Sequence, residues 1–294
     1  MSADSRPARE KLRMMAVHAH PDDEASKGAA AVAKYVHEGV DVTIVTCTGG
    51  ERGDILNPAM ADDPDALADL TAVRRREMEA ARDVLGADHV WLGFVDSGLP
   101  EGDPVPDLPD GCFALLRTEE AARPLVQLIR ERRPHVLTTY DENGHYPHPD
   151  HIMTHKISIL AWELAADPTY RPELGEPWEI SKLYYNMSMS AVEANEFHEY
   201  YLERGLDSPY EERLSWYKGL RQNPITTKVD VSDYLEYRDR ALLAHATQVD
   251  PEGMFFWVSN EVRRLVWPWE AYTLHFSRIP VTIPEDDLFE GLRS

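Results

Sequence analysis

The amino-acid sequence predicts an α/β protein, a doubly wound and mostly parallel sheet followed by a C-terminal α+β elaboration. Three observations predict it. Apolar runs without turn residues recur through the first half of the chain. Helix-length segments separate them, which is the rhythm of parallel strands joined by right-handed crossovers. Each of the first four runs ends in a polar loop, and open α/β sheets bind ligands at the carboxyl ends of their strands.

Taken in order, LRMMAVHA (12–19) reads as a buried first strand, 24–38 as an Ala-rich helix and VDVTIVTC (40–47) as a second strand. A helix around 66–86, a short strand HVWLG (89–93), a helix around 119–132, a fourth strand HVLTTY (135–140) and a helix near 150–166 continue the pattern. Residues 1–166 thus read as a Rossmann-like core that carries the site. Beyond 167 the rhythm loosens. SKLYYNMSMS (181–190) and ITTKVDV (225–231) read as strands, and AVEANEFHEYYLERG (191–205) and SDYLEYRDRALLAHATQ (232–248) as helices. Ser232 is the expected N-cap of the second. The segment 249–270 gathers Phe255, Phe256, Trp257, Trp267 and Trp269, and reads as core first, as a lid or interface second. A prior of about 150 residues per domain suggests two domains. The unbroken rhythm favours one, 1–294, with 167–294 shaping the substrate pocket.

Composition removes several function classes. Of 294 residues 43% are hydrophobic, enough for a real core. Thirty basic against 52 acidic residues give a formal charge of −22, which argues against binding nucleic acid or docking on anionic membranes. Cys47 and Cys112 are too few for a disulfide framework or a Cys-rich zinc module. The N-terminal stretch shows no signal h-region and no run approaches the ~20 apolar residues of a membrane span, so a reducing cytoplasm is the default expectation.

The chemistry concentrates in two loops. In His18-Ala19-His20-Pro21-Asp22-Asp23-Glu24, strand alternation points His18 and His20 to one face, and Pro21 suits the first turn of a helix. His20 and Asp23, three apart across that turn, can converge on one metal ion. The plainer alternative, that the acids merely complement a helix dipole, leaves the histidine unexplained. In Tyr146-Pro147-His148-Pro149-Asp150-His151, with His155 a turn later, the histidines can share a helical face. The H-x-x-x-H spacing lacks the Glu of a zincin, and His155 is expected to be structural. His20, Asp23 and one histidine of the second loop supply the three protein ligands of a catalytic zinc. Metal-assisted amide hydrolysis is therefore the best-supported reaction class. Cys47 reads as a small buried residue, and Gly49-Gly50-Glu51-Arg52-Gly53 matches neither dinucleotide nor phosphate loops; its Glu-Arg pair can bind a polyol or pair internally.

AHPDDE after the first strand and HPDH after the fourth resemble the N-acetylglucosaminyl-inositol deacetylase (PIG-L, LmbE-like) superfamily of zinc amidases. HAHPDDEASKGAA, TGGERGDILNPAM, WLGFVDSGLPEGD, TTYDENGHYPHPDH and AHATQVDP resemble its branch acting on S-conjugates of mycothiol. The resemblance implies a Zn²⁺ site of His20, Asp23 and His151, with Asp22 as general base. It implies His148 as an acid or electrostatic group held by Asp150, and Tyr146 leaning toward the carbonyl oxygen. The implied reaction releases a mercapturic acid and glucosaminyl-inositol. The glycan would be held at Arg74 and Asp96 with Glu51 beside them, and Lys27 would contact the acylcysteine arm. Arg74 has a solvated helix face as its alternative, Lys27 an ordinary surface lysine. Fe²⁺ accepts the same two-histidine, one-carboxylate set. The expected partner is a small glycan–cysteine conjugate, and a homo-oligomer is compatible with the sequence. The rivals are the acetyl-sugar deacetylase, an amidase tailoring a thiol-conjugated natural product, and a non-catalytic metal or glycan binder.

Overall fold

β1 (Arg13–His18) and β2 (Asp41–Thr48) are buried along nearly their whole length, as apolar strands covered on both faces must be. They sit inside one sheet of seven strands in the computed structural model, which describes residues 11–219 and 222–293. The other strands are β3 (Asp88–Phe94), β4 (Val136–Thr139), β5 (Lys182–Asn186), β6 (Thr227–Asp230) and β7 (Trp269–Ser277). Their order is β3-β2-β1-β4-β5-β7-β6. The first five pair in parallel, and β7 runs antiparallel to β5 and β6. Strand order reverses between β1 and β4, and the crevice outside such a switch point is where an open α/β sheet binds its ligand.

Ten α-helices flank the sheet among the described residues: α1 (Asp23–Ser26), α2 (Ala29–His37), α3 (Pro64–Ala68), α4 (Leu70–Leu85), α5 (Thr118–Arg132), α6 (Pro149–Ala166), α7 (Ala191–Leu202), α8 (Glu211–Trp216), α9 (Leu235–Ala244) and α10 (Asn260–Val266). The period-2 alternation of β1 sends Met14 and Ala16 to the α2, α4 and α9 side, and Met15 and Val17 to the α5 and α6 side. A third cluster, with Phe197, Tyr210 and Trp267 buried, packs the C-terminal helices together.

Several expectations need correction. The helix over 24–38 is two helices, broken at Lys27 and at Gly28, whose φ of +103° favours glycine. The helix over 66–86 is also two. Asp69 interrupts it and caps α4, its carboxylate accepting from the Ala72 N–H at 2.9 Å. Ser232 does not cap α9. Its hydroxyl turns back to Asp230 Oδ1 at 2.7 Å, and the helix begins at Leu235 and ends before 248. The elements over 181–190, 191–205 and 225–231 are present but shorter. The segment 249–270 holds α10 and the start of β7, a strand the sequence reading missed. Its tryptophans mostly pack inward: Trp267 is buried and Trp257 and Trp269 lie against it, as core residues. The first ten residues of the N-terminal stretch read for a signal segment lie outside the described residues. Among those described, no helix is long and apolar enough to cross a membrane.

Candidate metal centre and active site

The loops leaving β1 and β4 meet at the switch point. β1 ends at His18, so strand alternation stops before His20, and Pro21 precedes the helix instead of opening it. Asp22 caps α1 with φ +97°, a strained conformation for a residue with a side chain. Two short bonds fold the turn. The His20 N–H donates to Asp23 Oδ2 at 3.0 Å, and the Asp22 N–H donates to Glu24 Oε2 at 3.0 Å. Sequence spacing placed His20 beside Asp23, and this turn brings His20 Nδ1 within 3.4 Å of Asp23 Oδ2.

Hydrogen bonds fix which nitrogens are free. His151 Nδ1 donates to the Gly144 carbonyl at 2.9 Å, leaving a lone pair on buried Nε2, which has no hydrogen-bond partner among the described residues. That lone pair is 3.4 Å from Asp23 Oδ2. Gly144 is required here, since a Cβ would lie 2.6 Å from His151 Cβ at φ +68°. His20 Nε2 faces two acceptors, Asp150 Oδ2 at 3.2 Å and Asp96 Oδ1 at 3.5 Å, so its Nδ1 turns toward Asp23. Tetrahedral zinc with bonds of about 2.0–2.1 Å separates its ligand atoms by about 3.3 Å, close to both nitrogen–Asp23 distances. The residues present therefore fit a metal ion, and the carboxylates behind His20 supply the outer support that metal-binding imidazoles ordinarily have. His148 brings a third imidazole, with donor atoms of His20, His148 and His151 all within 4.8 Å of one another.

The electrostatics follow. Burial alone would lower His20, and the carboxylates of Asp150, Asp23 and Asp96 hold it well above the ordinary value instead. Burial alone would raise Asp23, and Lys27 and His151 keep it well below the carboxylate range. His148 is pushed down to about 3, by burial first and then by the neighbouring histidines. Its Nδ1 accepts the Asp150 N–H at 3.1 Å, so a neutral His148 carries its proton on Nε2. Asp150 thus holds His148, but through its backbone and not its carboxylate. That carboxylate binds His20 and the Ser97 N–H, the latter at 2.9 Å, while only its backbone serves His148.

Asp22 faces the same cavity as Asp23 but is held separately. Arg74 Nη2 donates to Asp22 Oδ2 at 2.9 Å and to the Pro21 carbonyl at 2.5 Å, and Nη1 donates to the Gly50 carbonyl at 2.8 Å. Burial raises the Asp22 pKa and Arg74 opposes it. The solvated-face alternative for Arg74 is overturned: its side chain is 4% exposed. Gly50 makes this possible, because a Cβ there would sit 2.1 Å from Arg74 Nη1. Gly50→Ala should push the guanidinium off Asp22 and cut kcat/KM by roughly tenfold or more, the scale of a lost charged hydrogen bond. Wild-type kinetics in that variant would show that Arg74 does not position Asp22.

The remaining candidates fall into place around this centre. Lys27 is not a surface lysine: buried, it donates to Asp23 Oδ1 at 2.5 Å while lining the cavity. Glu51 Oε1 accepts the Asp96 N–H at 2.8 Å, and Asp96 accepts from the Arg52 and Gly98 N–H groups. Tyr146 is half-exposed, its ring 4.7 Å from that of His151. His155 is structural, its Nδ1 on the Tyr140 carbonyl at 3.1 Å. Cys47 is buried with its thiol pushed up to about 12 by desolvation, so it is no nucleophile. The cavity measures about 290 Å³, with Leu56, Met189, Met254 and Phe255 among its walls.

Sequence reasoning missed three participants. Tyr140 Oη donates to Asp23 Oδ2 at 2.5 Å, and Ser97 grips Asp150 through its N–H and hydroxyl. His245 Nε2 pairs with Glu24 Oε1 at 2.6 Å, so the AHATQVDP stretch braces the acidic loop from the C-terminal half. Tyr140 stands at the end of the fourth apolar run, and its position in the polar edge was the available signal.

Residues 15–162 match the family described as GlcNAc-PI de-N-acetylase, PIG-L. The chain is 54% identical over 288 residues to a mycothiol S-conjugate amidase of Streptomyces coelicolor, covering 97% of this chain and 98% of that protein. It is 41% identical over 289 residues to a 1D-myo-inositol 2-acetamido-2-deoxy-alpha-D-glucopyranoside deacetylase of Streptomyces avermitilis, covering 95% and 97%. Among solved structures, N,N'-diacetylchitobiose deacetylase from Pyrococcus horikoshii shares the fold, with TM-score 0.61 at 17% identity over 90% of this chain and 84% of that one. A conserved protein of Thermus thermophilus does so with TM-score 0.59 at 22% identity, over 92% and 96%.

Proposed function

The chain belongs to the GlcNAc-PI de-N-acetylase (PIG-L) family, and from that premise we propose that it hydrolyses the amide bond of mycothiol S-conjugates. The products are a mercapturic acid and glucosaminyl-inositol. The observation that carries the reading beyond simple deacetylation is the cavity of about 290 Å³ beside Asp22 and Asp23, walled by Met189, Met254 and Phe255. An acetyl group needs far less apolar wall than an S-substituted acylcysteine. The 41% identity to the acetyl-sugar deacetylase keeps that activity as the second reading.

His20, Asp23 and His151 are the residues that would hold the metal ion. A bound Zn²⁺ supplies a polarised amide carbonyl and a water of lowered pKa; Fe²⁺ suits the same ligands. The chain's own residues do the rest. Arg74 binds Asp22 Oδ2, and among the described residues Oδ1 has no hydrogen-bond partner, so Oδ1 is the atom that takes the water proton. Asp22 then returns that proton to the leaving amine nitrogen of the glucosamine. His148, neutral with its proton on Nε2, donates a hydrogen bond to the developing oxyanion and does not act as an imidazolium acid. Tyr146, half-exposed beside His151, adds a second donor to the same oxyanion. Arg74, Glu51 and Asp96 serve the glycan through the loops they hold, and Lys27 positions Asp23 while bordering the space for the acylcysteine arm.

Incubation of the metal-loaded protein with the bimane conjugate of mycothiol tests this by mass spectrometry. The expected products are N-acetylcysteine–bimane and glucosaminyl-inositol in equal amounts, lost on chelation and restored by Zn²⁺. Intact conjugate after metal loading would overturn the reading.

A further inference from the structure

The cavity does not end beside the metal-binding residues. Ser26, Met189, Met254 and Phe255 border both it and a narrower side chamber, about 50 Å³ in volume, that enters the C-terminal layers. Three arginines line that chamber. Two have acidic partners. Arg238 Nη1 pairs with Asp239 Oδ1 at 2.7 Å, and Arg263 Nη1 pairs with Glu193 Oε1 at 2.8 Å. The chamber's other carboxylate, Glu270, is held by the N–H groups of Ala30 and Ala31 at 3.0 and 2.9 Å. Arg213 differs. It is 9% exposed, its Nε donates to Tyr217 Oη at 3.2 Å, its Nη1 meets Met254 Sδ at 3.0 Å, a weak acceptor, and its guanidinium lies 5.8 and 5.9 Å from the ring centres of Trp216 and Tyr217. Among the described residues no carboxylate pairs with it. A cation so nearly buried is ordinarily paired, and Arg213 is one of the residues that line the chamber.

We infer that Arg213 recognises an anionic group at the end of the substrate's S-substituent, and that the chamber selects conjugates carrying a carboxylate. This rests on the proposed amidase function. The apolar stem of the substituent lies against Met254, Trp257 and Trp269, and the carboxylate reaches the guanidinium. The chamber is small beside the main cavity, so it takes the end of a substituent and not its whole body. A local cation is needed for this, because the net charge of −22 disfavours anions in general.

The test compares two N-acetylcysteine methylamides, S-(4-carboxybenzyl) and S-(4-carbamoylbenzyl), by calorimetric titration of the metal-loaded protein. The wild type should bind the carboxylate on the order of ten- to a hundredfold more tightly, as expected for a charge-assisted pair in a buried site. Arg213→Lys should keep part of that preference and Arg213→Met should lose it. Equal affinities in the wild type, or an unchanged ratio in Arg213→Met, would overturn the inference. If the Met variant does not fold, the wild-type ratio and the Lys variant decide. Turnover of the two matching mycothiol conjugates separates the underlying reading: a binding preference with neither conjugate cleaved upholds the chamber and sinks the amidase.

Discussion

Asp22→Asn should keep its metal and lose most of its hydrolysis. Asp22 has one oxygen on Arg74 and lines the cavity, at a left-handed turn fixed by Glu24. An amide at that position can still accept the guanidinium but cannot take a proton from water. General-base catalysis of this kind contributes about 10²–10⁴-fold, so kcat should fall by that order while KM changes little. Metal content, measured by elemental analysis, should remain at the wild-type level because Asp22 is outside the ligand set. A variant that turned over like the wild type would remove Asp22 from the base role. One that lost its metal would move Asp22 into the ligand set.

The second large effect separates His151 from His148, two imidazoles whose ring centres lie 5.0 Å apart. His151→Ala should abolish stoichiometric metal binding, since its bare Nε2 lone pair beside Asp23 is the donor that Gly144 orients. His148→Gln should bind metal normally and lose about 10²–10³ in kcat, the usual scale for one oxyanion donor. Metal loss in His148→Gln with retention in His151→Ala would reverse the two assignments. The tautomers in the structure make the split: a backbone N–H takes the Nδ1 lone pair of His148, and a backbone carbonyl takes the Nδ1 proton of His151.

Much of this site was legible in the chain because it is local. His20 and Asp23 stand three apart across one turn, and Asp150 and His151 open the helix after the loop that leaves the fourth strand, so spacing alone brought these groups to one sheet edge. The parallel half of the sheet was legible for the same reason, each strand being an uninterrupted apolar run. What stayed open in the sequence was decided by partners that spacing does not show. Arg74 sits in a run of three arginines that reads as a wet helix face, yet Gly50, 24 positions earlier, opens the space that buries it. Lys27 looks like a surface residue until Asp23 is known to lie four residues back on the same turn, with Gly28 breaking the helix beyond. β7 was hidden because WEAYTLHFS mixes aromatic and polar residues on both faces, and its strand state depends on pairing with β5 and β6. The proposed split between Asp22 as base and Asp23 as ligand was not in the spacing. It follows the family resemblance, and the Arg74 and Lys27 contacts give it a physical basis.

The central claim is that this cavity serves a thiol-conjugated acylcysteine and not an acetyl group. Its most direct test is the ratio of kcat/KM for the bimane conjugate of mycothiol to that for N-acetylglucosaminyl-inositol, measured on one zinc-loaded preparation. The amidase account predicts a ratio well above one, on the order of tenfold or more, from the apolar wall that only the conjugate fills. A ratio below one would contradict it and make the chain an acetyl-sugar deacetylase.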